Sequence, residues 1–270
     1  MTPVPRMVVP GIDQGLRGRV ALVTGSSGGI GRAVGEHLAA AGCDVVLHGL
    51  AAPAEVAPLV EGIAGRHGVA VRYRQADLAQ PAAIAALMAE LGAVDIVENN
   101  AATRHFGPVE TTPPEHWEMD LAVNLSAAFH LIRLALPGMH GRGWGRIVNM
   151  SSIHGLVGAT GRVGYVTTKT ALLGLTRALA LETARSGITC NAICPGTTLT
   201  PNIEGRIRAA MAPSGLDQAT EAARMLDGKQ PTGRFVEAAA IGAMVAFLCS
   251  AAGRDITGAA LPMDGGWSAA

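Results

Sequence analysis

The sequence predicts an α/β fold of the Rossmann type: a doubly wound parallel sheet with helices on both faces, in a single domain. Three observations carry that prediction. Short apolar runs of strand length alternate with longer helical stretches from Arg19 onward. The first run, Arg19–Thr24, passes through Gly25-Ser-Ser-Gly-Gly29-Ile-Gly31 into an Ala-rich helical stretch, and strand, glycine loop and helix in that order build a phosphate cradle. Apolar residues make up 49% of the 270 and aromatics only 3%, with 35 glycines, which suits a sizeable core with close helix–sheet packing.

Residues 1–17, with Pro3, Pro5 and Pro10, read as a loose lead-in to a domain spanning 18–270. The glycine spacing G-x-x-x-G-x-G lets the backbone turn and approach a pyrophosphate at a helix N-terminus. Gly25, Ser27, Gly29, Ile30 and Gly31 are therefore expected beside a dinucleotide. Cys43–His48 reads as the second strand, whose end meets the adenosine ribose. An acidic residue there favours NAD and an arginine favours NADP. His48-Gly49-Leu50-Ala51 holds neither. The lack of a cation for a 2′-phosphate favours NAD over NADP, with His48 read as a solvated imidazole at a strand end rather than a phosphate ligand.

Pro53–His67 is helical in pattern and Val69–Arg74 alternates as a third strand. In Asp77-Leu78, Asp77 either meets an adenine amino group or caps the helix Pro81–Leu91. A fourth strand begins at Val94–Val97 and ends in Glu98-Asn99-Asn100-Ala101-Ala102, where a buried Glu98 is costly without a partner. A helix starts near Thr112-Pro113-Pro114-Glu115 and runs to about Met139, and Asn124 inside it is a poor helix former and so a hint of function. The strand Arg146–Met150, a helix continuing through Leu172–Ala184 and the strand Gly187–Cys194 follow. Residues 201–232 break the rhythm with Arg206, Arg208, Arg224 and Lys229 among Pro213, Gly215 and Pro231. An insertion beyond the carboxyl end of a strand lies where such sheets bind ligands, and it reads as a substrate lid. Val236–Ser250 is a last helix and Ala259–Pro262 a last strand, before Asp264-Gly-Gly-Trp267.

The stretch Ser151–Lys169 carries the chemistry. Tyr165 and Lys169 stand four residues apart and share one helix face, and Ser152 lies thirteen residues before Tyr165 at a strand end. A phenol with a pKa of roughly 10 is a poor base at neutral pH. A neighbouring ammonium pulls it down, and the serine hydroxyl can hold a carbonyl or hydroxyl oxygen while the phenol moves its proton. That is the acid–base half of a carbonyl–alcohol interconversion, with the glycine loop holding the hydride carrier.

Bulk properties exclude other classes. Formal net charge is zero, from 21 basic and 21 acidic residues, so nothing points to nucleic acid. Cys43, Cys190, Cys194 and Cys249 lack metal-ligand spacing and read as reduced buried thiols, with no metal site. No run is expected to span a membrane and no signal peptide is evident, so a soluble cytoplasmic protein is the expectation.

Together, Thr24-Gly25-x-x-x-Gly29-x-Gly31, Asn99-Asn100-Ala101, Asn124, Ser152, Tyr165-x-x-x-Lys169 and Pro195-Gly196 resemble the short-chain dehydrogenase/reductase family over residues 18–270. The resemblance implies a seven-stranded parallel sheet, a homotetramer, and Asn124, Ser152, Tyr165 and Lys169 as catalytic residues. In it Ser152 polarises the substrate oxygen, Tyr165 transfers the proton, Lys169 lowers the Tyr165 pKa and holds the nicotinamide ribose, and Asn124 anchors a relay water. Asp77, Leu78, Asn100, Ala101, Pro195, Gly196, Thr198 and Thr200 join the glycine loop, Tyr165 and Lys169 at the cofactor.

Within the family the chain is most similar to bacterial D-3-hydroxybutyrate dehydrogenases, which use NAD. Ser152, His154, Tyr165 and Trp267 match the substrate pocket. Arg104 and Arg206 stand in place of glutamines, Arg162 in place of a carboxylate-binding lysine, and Thr197 in place of a tryptophan. Glu98 stands at a normally apolar position and Ala102 in place of a glycine. The guanidiniums suit a hydroxy acid larger or more anionic than hydroxybutyrate. Two alternatives stand beside this reading: an NADPH-dependent 3-oxoacyl (acyl-carrier-protein) reductase, and a catalytically silent nucleotide-sensing protein on the same fold.

Overall fold

A computed structural model describes residues 15–270; residues 1–14 of the expected lead-in lie outside the described residues. Leu16 is buried in the core, so the loose segment does not extend to residue 17. The chain then alternates strand and helix: β1 Val20–Val23, α1 Gly29–Ala40, β2 Asp44–Gly49, α2 Pro53–His67, β3 Val71–Gln75, α3 Pro81–Leu91 and β4 Ile96–Asn99. The second half runs through α4 Pro114–Leu121, α5 Ala127–Arg142, β5 Gly145–Met150, α6 Val163–Glu182 and β6 Ile188–Pro195. Next come a two-residue β7 Thr198–Leu199, α7 Pro201–Ser214, α8 Gln218–Leu226, a two-residue β8 Val236–Glu237, α9 Ala238–Cys249 and β9 Ala260–Met263.

The main sheet has seven parallel strands in the order β3-β2-β1-β4-β5-β6-β9. Strand order reverses between β1 and β4, which opens a ligand crevice at their carboxyl ends. Alternate side chains along each strand feed two cores. Ala21, Val23, Ile96 and Val148 meet α1 and α9 through Val34, Leu38, Ile241 and Val245. Leu22, Val97 and Ile147 meet the other layer through Ile84, Leu87, Leu131 and Met139. The α1–α9 contact is close because Gly242 carries no Cβ, which would sit 2.6 Å from the Ala33 carbonyl oxygen.

Three local expectations are corrected. The helix expected from Thr112 to Met139 is two helices joined by one turn of the wider π helix, Ala122–Ser126, with Asn124 inside that turn. Asp77 does not cap α3, because Gln80 occupies the cap position. The Asp77 carboxylate instead accepts the Ala79 N–H at 2.9 Å in a tight local turn. By length and composition the continuous helical stretch Pro114–Arg142 reaches membrane-spanning hydropathy, contrary to expectation. Its apolar side chains Leu131, Ile132 and Met139 are buried in the core facing α3 and the sheet.

Glu98 sits in β4 opposite Val23 and Val148, fully buried, and neither carboxylate oxygen has a hydrogen-bond partner among the described residues. Burial pushes its carboxyl well above the ordinary carboxylate range, and the Lys169 charge offsets this in part. The folded protein thus keeps a proton that the unfolded chain releases above a pH of about 4.3, so Glu98 costs stability progressively as pH rises from there toward its folded pKa. Glu98→Val is expected to stabilise the protein at neutral pH by about 1–3 kcal/mol in denaturant titration and to flatten that decline. An unchanged pH dependence in the variant contradicts this assignment.

Candidate active site

The carboxyl ends of β1 and β4 are locked together before any ligand arrives. Thr24 Oγ1 donates to the Glu98 carbonyl at 3.1 Å and accepts the N–H groups of Asn100 at 2.9 Å and Ala101 at 3.1 Å. Asn100 Nδ2 donates to the carbonyls of Thr24 at 2.9 Å and Gly25 at 3.0 Å. This lock leaves no room for a side chain at Gly25 or Gly31. Gly25 has φ +61°, and a Cβ there would stand 2.9 Å from Ala101 Cα. A Cβ on Gly31 would stand 2.5 Å from the Gly25 carbonyl oxygen. The loop opens α1, whose first turn carries no acidic residue, so its free N–H groups face an anion unopposed. Gly25, Ser27, Gly29, Ile30, Asp77, Leu78, Asn100, Ala101 and Thr200 line one long cleft above it. Gly31 lies beneath that cleft as the loop's support. The residues fit a dinucleotide.

The structure corrects the reading of His48. The side chain is 2% exposed, and both ring nitrogens are occupied. Nε2 lies 3.0 Å from the Ala76 carbonyl oxygen and so carries the hydrogen, while Nδ1 accepts the Gly25 N–H at 3.3 Å. Burial lowers its pKa. His48 is a neutral brace for the glycine loop, neither solvated nor free for phosphate.

Beside this cleft lies a cavity of about 320 Å³ that contains Ser152, Tyr165 and Lys169. Ser152 follows β5, and its hydroxyl accepts the His154 N–H at 3.1 Å. Tyr165 and Lys169 occupy the inner face of α6 and are 5% and 2% exposed. Lys169 Nζ donates to the Met150 carbonyl at 2.7 Å, and Ser151 Oγ donates to the Lys169 carbonyl at 2.7 Å. These two bonds tie α6 to the end of β5. The Lys169 Nζ lies 5.7 Å and the Arg104 guanidinium carbon 5.0 Å from the Tyr165 ring centre. Burial by itself raises the Tyr165 pKa. The charges of Lys169 and Arg104, with hydrogen bonds from Ser152 and Arg104, outweigh burial and hold the phenol below its ordinary value. Burial also holds Lys169 below its ordinary value, against the pull of Tyr165 and Glu98.

Asn124 lies behind the cavity rather than on its wall. Its Oδ1 accepts the Thr103 N–H at 2.7 Å, and its Nδ2 donates to the Thr103 carbonyl at 3.1 Å and to Thr168 Oγ1 at 3.2 Å. Thr103 in turn donates to buried Asp120 at 2.6 Å. The side chain is thus spent on joining the π turn, the loop after β4 and α6.

The same cavity gathers the remaining expected residues: His154, Arg104, Arg162, Arg206, Trp267, Pro195, Gly196, Thr198 and Thr200. His154 meets Trp267 edge-on with ring centres 5.5 Å apart, and Arg162 Nη1 lies 3.4 Å from His154 Nε2. Arg162 also stacks on Phe106 at 4.9 Å. Burial, then the Arg162 charge, holds His154 below its ordinary pKa. Thr200 caps α7, whose Ile203 and Arg206 face the cavity from the expected lid. Contributors that escaped sequence reasoning as site residues include Lys229, Phe106, Asp120 and the Met150 carbonyl. Lys229 alone carried a signal, as a base in the lid segment. A backbone carbonyl carries none.

Gly31→Ala is expected to weaken dinucleotide binding by about tenfold or more in a fluorescence titration, since its Cβ must displace the Gly25 carbonyl or Asn100. Wild-type affinity in the variant contradicts the role assigned to this loop.

Comparison with known proteins agrees with the geometry. The family described as enoyl-(acyl carrier protein) reductase matches residues 25–268. The D-beta-hydroxybutyrate dehydrogenase of Cupriavidus necator is 42% identical over 94% of this chain and 99% of its own length. That of Rhizobium meliloti is 39% identical over 93% and 99%. Among solved structures, L-sorbose reductase from Gluconobacter frateurii complexed with NADPH and L-sorbose superposes with a TM-score of 0.92 at 30% identity, covering 96% of this chain and all of that one.

Proposed function

Because this chain belongs to the short-chain dehydrogenase/reductase family of oxidoreductases, we propose that it interconverts the secondary alcohol and the ketone of a hydroxy acid, with NAD as its cofactor. The observation that carries the reading is the Tyr165 phenol, held between Lys169 and Arg104 and within reach of Ser152. The nicotinamide, when bound, accepts or supplies the hydride at the substrate carbon. In the oxidative direction Ser152 orients the hydroxyl, Tyr165 as phenolate takes its proton, and the carbon–oxygen bond gains its second order as the hydride leaves. In reduction the protonated Tyr165 returns that proton to the oxygen. Lys169 favours the phenolate and, as in the family, would hold the nicotinamide ribose, while Asn124 holds Thr103 and Thr168 in place as a positioning residue.

Support for a hydroxy acid comes from the cationic wall of the cavity and from the likeness to the two hydroxybutyrate dehydrogenases. Support for NAD comes from the adenosine end of the cleft, where Gly49, Leu50 and Ala51 offer no cation and His48 is neutral and enclosed. A homotetramer accords with the family and with apolar side chains left exposed on the outer helices, Phe129 on α5 and Leu181 on α6. A cytoplasmic location remains part of the proposal.

Initial rates on D-3-hydroxybutyrate and larger hydroxy acids, with NAD and NADP in parallel, test it. NAD is expected to be the better oxidant, and Tyr165→Phe to lose activity by about 10²–10⁴-fold. Oxidation needs the phenolate, so kcat/KM should rise with pH through an apparent pKa below about 10. Arg104→Gln removes a lowering charge and should move that limb to higher pH. Full activity in Tyr165→Phe contradicts the mechanism.

A further inference from the structure

Four cations from four separate segments converge on the substrate cavity: Arg104 from the loop after β4, Arg162 at the start of α6, Arg206 on α7 and Lys229 after α8. None of them forms a salt bridge among the described residues. Among the described residues no aspartate or glutamate lines the cavity. The chain as a whole is neutral, so this positive excess is local to the site. The Tyr165 phenolate is the counter-charge of Lys169, and Arg104 shares it. Arg162, Arg206 and Lys229 have no carboxylate partner among the described residues.

The cofactor does not account for them. Its phosphates belong at the backbone N–H groups of the glycine loop. Of the four, Arg104 alone also borders the dinucleotide cleft; Arg162, Arg206 and Lys229 do not. Arg162 is half-buried, and after burial itself the charges of Arg206 and Arg104 are what press hardest against its protonated form. Arg104, Arg206 and Lys229 are exposed, so water screens much of the repulsion, and an anion bound among them relieves what remains. A single carboxylate engages one or two planar guanidiniums in bidentate fashion and leaves the rest facing one another.

We infer that the substrate is a hydroxy acid bearing a second carboxylate, which the arginines of the lid and of the α6 start hold beyond the reacting carbon. This inference rests on the hydroxy-acid reading above and narrows its substrate class. Thr197, small and polar on the cavity wall, leaves room for the longer acid.

Matched pairs of substrates test it with the intact enzyme and both NAD and NADP. 3-Hydroxyglutarate differs from 3-hydroxyvalerate only in carrying a carboxylate where the latter has a methyl group, and 3-hydroxyadipate is related in the same way to 3-hydroxyhexanoate. In at least one pair the diacid is expected to show a kcat/KM higher by roughly tenfold or more, the worth of a charge-assisted hydrogen bond. Arg206→Gln and Arg162→Gln should each cut that ratio toward unity. Glutarate or adipate should likewise raise the Tm of the dinucleotide-loaded enzyme more than valerate or hexanoate does. If the monoacids turn over as well as the diacids, the inference is overturned and the hydroxy-acid reading stands. If neither class turns over with either cofactor, both are overturned.

Discussion

The burial of the Lys169 ammonium is the constraint on which the rest of this structure depends. A long cationic side chain is 2% exposed, with the Met150 carbonyl as its hydrogen-bond acceptor and the Tyr165 ring beside it. A buried charge survives only where dipoles and counter-charge replace water. That requirement fixes where α6 docks on β5, reinforced by the Ser151 hydroxyl on the Lys169 carbonyl. Docking α6 there delivers Tyr165 to the carboxyl end of the sheet, beside Ser152. The same placement puts the phenol at the border of the dinucleotide cleft, which shares Asn100 and Thr200 with the substrate cavity.

Around that pair the charges are distributed unevenly, and the unevenness has chemical sense. Arg104 adds a second cation over Tyr165, from the solvent side, where the sheet scaffold could not place one. Glu98 lies fully enclosed within Coulombic range of Lys169 but bonded to nothing. Burial keeps its proton on, so it leaves the hydrogen bonds of Lys169 undisturbed, at a cost in fold stability. The π turn at Asn124 answers a different need. From within the widened turn a single amide side chain reaches both the loop after β4 and α6.

Much of this was legible in the sequence, for identifiable reasons. Strand and helix alternate with periods that the sheet and its two helical layers impose, so α2 and α3 fall at the expected residues. Tyr165 and Lys169 share a face because helical geometry dictates it, and Gly25 and Gly31 stand where a Cβ has no space. What escaped depended on backbone groups or distant partners. The Met150 carbonyl that holds Lys169 belongs to no side chain. The π turn shows only as a mild misfit at Asn124. His48 was misplaced because its two partners, Gly25 N–H and Ala76 carbonyl, come from different loops, and nothing local to His48 announces them. Asp77 is a capping residue by type, but its carboxylate closes its own turn one step too early to cap α3.

The central claim is that Tyr165 is a phenol prepared for proton transfer by two neighbouring cations, and the chain permits a direct test because it contains only two tyrosines. Burial raises the pKa of Tyr73, whereas that of Tyr165 is lowered. The decisive measurement is an ultraviolet difference titration of phenolate absorbance in the wild type and in Tyr165→Phe. The account predicts one tyrosine ionising below about 10 and one above it, with only the lower step lost in the variant. Two tyrosines that both ionise above that value, or a lower step that survives in Tyr165→Phe, would contradict it.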